Sequence, residues 1–293
     1  MNILNTKIYF FCSFYIKKVI KICLTFKEIY NYKLFKRNYN YHTIFIIAGN
    51  RSASTWLRDL LVEILNGFSS YHPSSHPRGN KGKNYDINEE VIAEYKNKLY
   101  VTRSHTPFNL ENVKIMNKYF KKYLLTVRDP RDILTSLYFH LSKKKPKESA
   151  FIDQGLTRAL PWEVLENNYH KLNKDELIYQ ITTKIMPGVI QIMENWLDYS
   201  KKNKNILTIK YEDLIKDPVE TLFQVLKFYE KDISKKKISK AVKELNPQKK
   251  NPRFTYFFIG KKGIWKELLN SKQLDDIQKI SKNFMFKAGY NIT

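Results

Sequence analysis

Cysteine is scarce in this chain. Cys12 and Cys23 are its two copies, both in the N-terminal segment. That excludes a disulfide framework and a cysteine-rich zinc site and fits a reducing compartment such as the cytoplasm. Long apolar runs are missing too. A membrane-spanning helix needs about 20 consecutive apolar residues. The best candidate, Ile8–Ile16, is short and runs into Lys17 and Lys18, and it lacks the small-residue cleavage site of a secretory signal. Acidic residues are outnumbered: 28 Asp and Glu face 52 Lys and Arg, a formal net charge of +24. Such an excess suits an anionic partner such as nucleic acid, a membrane surface or an acidic ligand. The lysines are spread along the chain, however, as plain composition drift would leave them. Internal repeats are absent, and biased segments shrink to short runs such as Lys235–Lys237.

Apolar residues are not in short supply. They make up 43% of 293 residues, enough for a buried core and too many for a disordered chain. Residues 1–42 read as a basic amphipathic segment. Within 7–30, Lys17 and Lys21 fall on one side of a helix, and Ile8, Cys12, Ile16, Val19, Cys23 and Phe26 toward another. This suits either peripheral contact with a membrane or an ordinary helix covering the domain.

From residue 43 onward, strand and helix patterns alternate. This predicts an α/β fold with a central parallel sheet flanked by helices. Strands are expected at Thr43–Ala48, Leu99–Thr102, Tyr123–Val127 and Asn205–Lys210, and a helix at Trp56–Leu65. Phe68–Tyr85 reads as a turn-rich loop, and residues 141–200 as mostly helical after the basic loop Ser142–Lys147. Two helix starts stand out. Asp129 can cap a helix that has Pro130 in its first position. Asp217 does the same ahead of Pro218, with Glu220 placed to complete a capping box.

Four stretches carry chemistry. In IIAGNRSASTWLRDLL, Ile46–Leu61, an apolar run ends at Gly49, a small-residue loop with one cation follows, and a helix begins. Strand, loop and helix N-terminus form an anion cradle. The G-x-x-x-x-G-K-[ST] form is not matched, because the second Gly and the Lys are missing. Ser52, Ser54 and Thr55 supply hydroxyls, and Arg51 a permanent positive fork. Trp56 offers a face for a purine or belongs to the core. In LYVTRSHTPF, Leu99–Phe108, a strand ends and delivers Arg103 and His105 to the edge where parallel sheets hold ligands. A neutral His there can take a proton. In LLTVRDPRDILTSLYFH, Leu124–His140, Arg128 ends a strand and Ser136 lies two turns into the next helix. Such an Arg and Ser can grip a phosphate, or Arg128 can pair with Asp129 or Asp132. The last is IKYEDLIKDP, Ile209–Pro218, a strand end and polar turn. FIGKKGIWKELL, Phe258–Leu269, follows later as a basic, Gly-punctuated loop entering a helix.

In this order the stretches resemble the sulfotransferases that use 3′-phosphoadenosine 5′-phosphosulfate (PAPS). Arg51-Ser52-Ala53-Ser54-Thr55-Trp56 is similar to that family's 5′-phosphosulfate loop, [KR]-S-G-T-[TS]-W. Arg103-Ser104-His105-Thr106-Pro107 is similar to K-[TS]-H-x-P, whose His is the catalytic base. Arg128 and Ser136 match the pair that holds the 3′-phosphate. Tyr211-Glu212-Asp213-Leu214 matches the turn whose Tyr lies near the adenine. Gly260, Gly263, Trp265 and Lys266 match a late loop. The resemblance runs from about Thr43 to Leu269. It implies a P-loop NTPase-like three-layer architecture over 43–293. It also implies sulfuryl transfer to a hydroxyl or amine, with no metal and no nucleic-acid partner. His105 would be the base, with Arg51 and Arg103 stabilising charge and Lys261 and Gly263 on the nucleotide.

Three departures stand out. Ala53 replaces a Gly, so the loop is expected to close without a left-handed residue there, or to bend differently. Arg51 and Arg103 replace lysines. The late loop's Arg pair falls on Phe258 and Ile259, leaving Lys261, Lys262 or Arg253 to substitute. The acceptor side is expected in residues 67–98 and 141–200, whose polar, partly basic composition favours a glycan or glycolipid. Two alternatives stay open: an ATP-using P-loop kinase, which the missing GK[ST] opposes, and a non-enzymatic polyanion- or membrane-binding protein.

Overall fold

The computed structural model describes residues 43–69, 86–95, 99–142, 165, 168–246 and 262–292. The expectations for the N-terminal segment, for Lys261 and for the loops at 70–85 and 143–147 lie outside these residues.

Five parallel strands form one sheet in the order β2-β3-β1-β4-β5. They are β1 Ile44–Ala48, the two-residue β2 Phe68–Ser69, β3 Tyr100–Ser104, β4 Tyr123–Val127 and β5 Ile206–Lys210. Continuous apolar runs such as IFIIA form central strands because both faces must be dry. Alternation then sorts the side chains. Phe45 and Ile47 of β1, with Leu125 and Val127 of β4, enter one core cluster. Ile44, Ile46 and Leu124 enter the other.

Helices close each face. On the first side lie α2 Glu89–Tyr95, α3 Leu110–Tyr119, α4 Pro130–Ser142, α5 Lys174–Gln180, α6 Met186–Ser200 and, near the C-terminus, α11 Ser271–Ala288. On the second lie α1 Ser54–Leu65, α7 Tyr211–Lys216, α8 Pro218–Phe228 and α9 Lys235–Glu244. A short α10, Trp265–Leu268, precedes α11. Each fully buried Leu or Ile in these faces contributes about 1.5–3 kcal/mol. The result is the expected α/β architecture, a parallel sheet between two helical layers.

Local expectations fare unevenly. Asp129 caps α4 as its pattern indicates, its Oδ1 accepting from the Arg131 amide at 2.9 Å. Asp217 caps α8 through the Glu220 amide at 2.9 Å, but the box does not close. The Glu220 carboxylate instead takes Gln224 at 2.6 Å and Lys235 at 2.7 Å. The polar turn after β5 is the helix α7. The strand expected at Leu99–Thr102 starts one residue later and runs to Ser104, because Arg103 and Ser104 pair with Ile46 and Ile47 of β1. Arg103 therefore lies inside the strand, and His105 is the first residue past it.

Candidate functional site

Because the strands are parallel, the residues after β1, β3, β4 and β5 emerge at one edge. The connection from β1 runs toward β2 and β3, and the one from β4 runs the opposite way to β5. Their carboxyl ends bound the crevice where sheets of this kind bind ligands.

The loop after β1 is tightly folded. The Gly49 amide donates to the Thr126 carbonyl at 3.0 Å and to its Oγ1 at 3.2 Å. A Cβ on Gly49 would lie 2.5 Å from the Thr126 oxygen and 2.8 Å from Met193 Sδ, so only glycine fits this approach of β4 and α6. The Ser52 hydroxyl bonds the Gly49 carbonyl and sits 2.6 Å from Thr126 Oγ1. Ser52 thus holds the loop shut, where its sequence position had marked it as a ligand donor. Arg51 and Ala53 both adopt the left-handed conformation, with φ of 58° and 59°. The loop keeps a left-handed residue at Ala53 after all, contrary to expectation. Tertiary closure overrides a cost of about 1 kcal/mol for a residue with a Cβ. Ser54 and Thr55 open α1. Trp56 is buried, its indole N–H on the Leu245 carbonyl at 2.8 Å, which anchors α1.

Arg51, Arg128, Ser136 and Tyr211, far apart in sequence, meet at this crevice. Arg51 Nε donates to Ser136 Oγ at 2.9 Å, and Arg128 Nη1 donates to the Arg51 carbonyl at 2.8 Å. The Arg128 guanidinium lies 3.8 Å from the centre of the Tyr211 ring, a cation–π stack that fixes its plane. Burial first, then the charge of Arg128 and, more weakly, of Arg103, push the Arg51 guanidinium down to about 10, with Tyr211 opposing. Burial also raises the Tyr211 phenol. Clustered, desolvated guanidinium groups are unfavourable alone and favourable around an anion. The carboxylates of this edge take hydrogen bonds from neighbouring groups. Asp129 pairs with Arg131 at 2.7 Å, Asp132 accepts from the Gly263 amide at 2.9 Å, and Glu212 accepts from the Asp129 amide at 3.1 Å and the Tyr290 hydroxyl at 3.0 Å. The Arg128 charge still acts on Asp132, opposing the rise that burial imposes on its carboxyl.

His105 joins the site from β3. Its Nδ1 lies 2.7 Å from the carbonyl of Ala48, the last residue of β1. A carbonyl can only accept, so Nδ1 carries the proton and Nε2 is the basic nitrogen.

The late loop docks on α4. Gly263, at φ 80°, uses its amide on Asp132, and Trp265 stacks under Arg131 with its ring centre 4.1 Å from the guanidinium carbon. Burial raises the carboxyl groups of Asp132 and Glu212 above their usual range. Sequence reasoning had singled out neither contact, nor Thr126. The one available signal for Thr126 was a lone threonine among the large apolar residues of YLLTV. Among the described residues no group of three or more His, Cys, Asp or Glu is placed to hold a metal.

The chain is similar to known proteins along most of its length. The family model described as sulfotransferase domain matches residues 42–289. A 3-alpha-hydroxysteroid sulfotransferase of Cavia porcellus is 24% identical over 261 residues, covering 82% of each chain. An amine sulfotransferase of Oryctolagus cuniculus is 24% identical over 209 residues, 69% of this chain and 60% of the relative. Among solved structures, a mouse sulfotransferase complexed with PAP has a TM-score of 0.57 at 16% identity, over 85% of this chain and 84% of its own. Retinol dehydratase in complex with androsterone and inactive cofactor PAP has a TM-score of 0.58 at 15% identity, over 86% and 82%. At such identities the structural likeness speaks for the fold.

Proposed function

The chain belongs to the sulfotransferase domain family, and on that premise we propose that it moves a sulfuryl group from PAPS to a hydroxyl or amine of an acceptor, foremost a sugar hydroxyl of a glycan or glycolipid. The observation that carries this reading is the desolvated Arg51–Arg128 cluster with Ser136 at the β1/β4 crevice. Arg128 and Ser136 would hold the 3′-phosphate, and Arg128 is pre-oriented for it by Tyr211. Loop amides beyond that of Gly49, which Thr126 takes, would with Arg51 and Arg103 carry the charge of the 5′-phosphosulfate.

Chemistry then needs a base and an in-line approach. His105 Nε2 takes the proton from the acceptor oxygen or nitrogen as that atom bonds to sulfur. The bond from sulfur to the 5′-phosphate oxygen breaks, and its electron pair stays on that phosphate. Adenosine 3′,5′-bisphosphate (PAP) departs, its charge stabilised by the loop amides and arginines. As in phosphoryl transfer, positioning and electrostatics supply most of the rate.

The polar, partly basic composition of residues 67–98 and 141–200 supports the glycan preference. The relatives named for hydroxysteroids and amines set the competing acceptors. Two measurements test the reading. Thermal stabilisation by PAP should exceed that by 5′-AMP or Mg·ATP at equal concentration. Radiolabelled PAPS should transfer label to fractionated glycans or glycolipids ahead of sterols and small amines. Stabilisation by Mg·ATP with ATP turnover, and none by PAP, would sink the sulfotransferase reading. Label on sterols alone would sink the glycan preference.

A further inference from the structure

His105 is steered by more than the Ala48 carbonyl. The turn that carries it, His105–Phe108, is held from the opposite side of the chain. Trp196 of α6 is fully buried, and its indole N–H donates to the Thr106 carbonyl at 2.8 Å across 90 residues of sequence. Phe108 meets the Trp196 ring edge-on, with centres 5.1 Å apart and planes at 89°. Tyr123 of β4 also meets it edge-on, at 6.2 Å. One residue on from Thr106, the Pro107 carbonyl accepts from Asn112 Nδ2 at 2.9 Å. The Thr106 hydroxyl takes no part. It is buried and has no hydrogen-bond partner among the described residues, so the turn is fixed by its backbone carbonyls.

We infer that Trp196 is a positioning residue for the transfer reaction: its indole N–H fixes the Thr106 carbonyl and thereby sets where His105 Nε2 meets the acceptor proton. The inference rests on the reading of His105 as the base. Several side chains pack the turn, but among the described residues Trp196 is the one that both bonds its backbone and stacks against it. Losing the bond leaves a buried carbonyl unpaired and lets the His105 backbone shift. Small misplacements of a catalytic group cost up to about a hundredfold in rate.

The test is a double-mutant cycle on the full chain. Trp196→Phe removes the N–H. As Phe is smaller and can destabilise the fold, β-(3-benzothienyl)alanine at position 196 repeats the loss with the ring shape kept. Both are measured in the wild-type and His105→Ala backgrounds for kcat, KM for PAPS and PAP affinity. Expected is a fall in kcat of about tenfold or more, KM and PAP affinity within about twofold, and no further fall when His105 is already alanine. Unchanged kcat, an equal fall in both backgrounds, or a parallel loss of PAP affinity would overturn the role of Trp196. Full activity of His105→Ala by itself would instead remove the base assignment, and the inference with it.

Discussion

Replacing Arg128 with alanine separates the two phosphates of the proposed nucleotide. The residue is 6% exposed, stacks on Tyr211 and donates to the Arg51 carbonyl. Truncation removes the stack, about 1–2 kcal/mol when desolvated, and one charge-assisted hydrogen bond, about 1.5–3 kcal/mol. It also removes a like charge from beside Arg51, which returns part of that loss. The folded protein should therefore lose about 2 kcal/mol and remain native. Binding should change far more. A buried guanidinium on a phosphate is worth about 3 kcal/mol when truncated, which is about two decades in Kd for PAP. 5′-AMP has no 3′-phosphate and should lose less than about fivefold, reflecting only local loosening. Calorimetric titration of both ligands at fixed salt decides the matter. Equal losses for the two nucleotides would refute the assignment of Arg128 to the 3′-phosphate. Arg128→Lys should fall between, because it keeps charge but not the planar fork that stacks on Tyr211.

Ala53→Gly should raise stability by about 1 kcal/mol, since the native φ of 59° strains a residue with a Cβ and not a glycine; a lower thermal midpoint would mean the Ala53 methyl packs more than it strains. Gly49→Ala should cost about 3 kcal/mol, because its Cβ would press on the Thr126 carbonyl and Met193; a neutral denaturation midpoint would show that β4 and α6 can yield there. Asp132→Asn tests the late-loop latch through pH. Burial raises the folded carboxyl above its unfolded value, so the native state binds more protons between the two. Wild-type stability should fall as pH rises through the folded titration. The variant should lack that component and bind PAP more weakly, through a looser Gly263. Identical stability–pH curves for the two proteins would exclude Asp132 as the titrating group.

What the sequence disclosed follows the range of the forces involved. β1 and β4 were legible because continuous apolar runs need two dry faces, whatever pairs with them. The end of β3 was not, since Arg103 and Ser104 look like loop residues and become strand only by pairing with β1. Ala53 was misread for a similar reason: local propensity disfavours the left-handed region, and closure of the Gly49–Thr126 contact imposes it. At Glu220 the D-x-x-E pattern was locally sufficient, but Lys235 from α9 captured the carboxylate. The site was legible where its residues follow strand ends, as His105, Arg128 and Tyr211 do. Contacts carried by backbone groups left no mark. The Thr106 carbonyl on Trp196 and the Gly263 amide on Asp132 need no particular residue at position 106 and only a glycine at 263.

Arginine at position 51, where similar loops carry lysine, has a consequence of its own. The site lowers the Arg51 guanidinium to about 10 through burial and the charges of Arg128 and Arg103, and arginine still stays fully charged at neutral pH. A lysine starts about two pH units lower. Exposed to the same burial and neighbours, it would titrate within reach of ordinary assay conditions. Arg51→Lys should therefore make PAP affinity depend on pH. The ammonium must be charged in the complex, so binding should weaken as pH rises from about 7 to about 9, with proton uptake on binding. The wild-type protein should show neither effect over that range, since the phosphate groups are already ionised there. Titration calorimetry in buffers of different ionisation enthalpy measures the uptake directly. A pH-independent affinity for Arg51→Lys, with no proton linkage, would mean that the field around position 51 is weaker than its arginine neighbours imply.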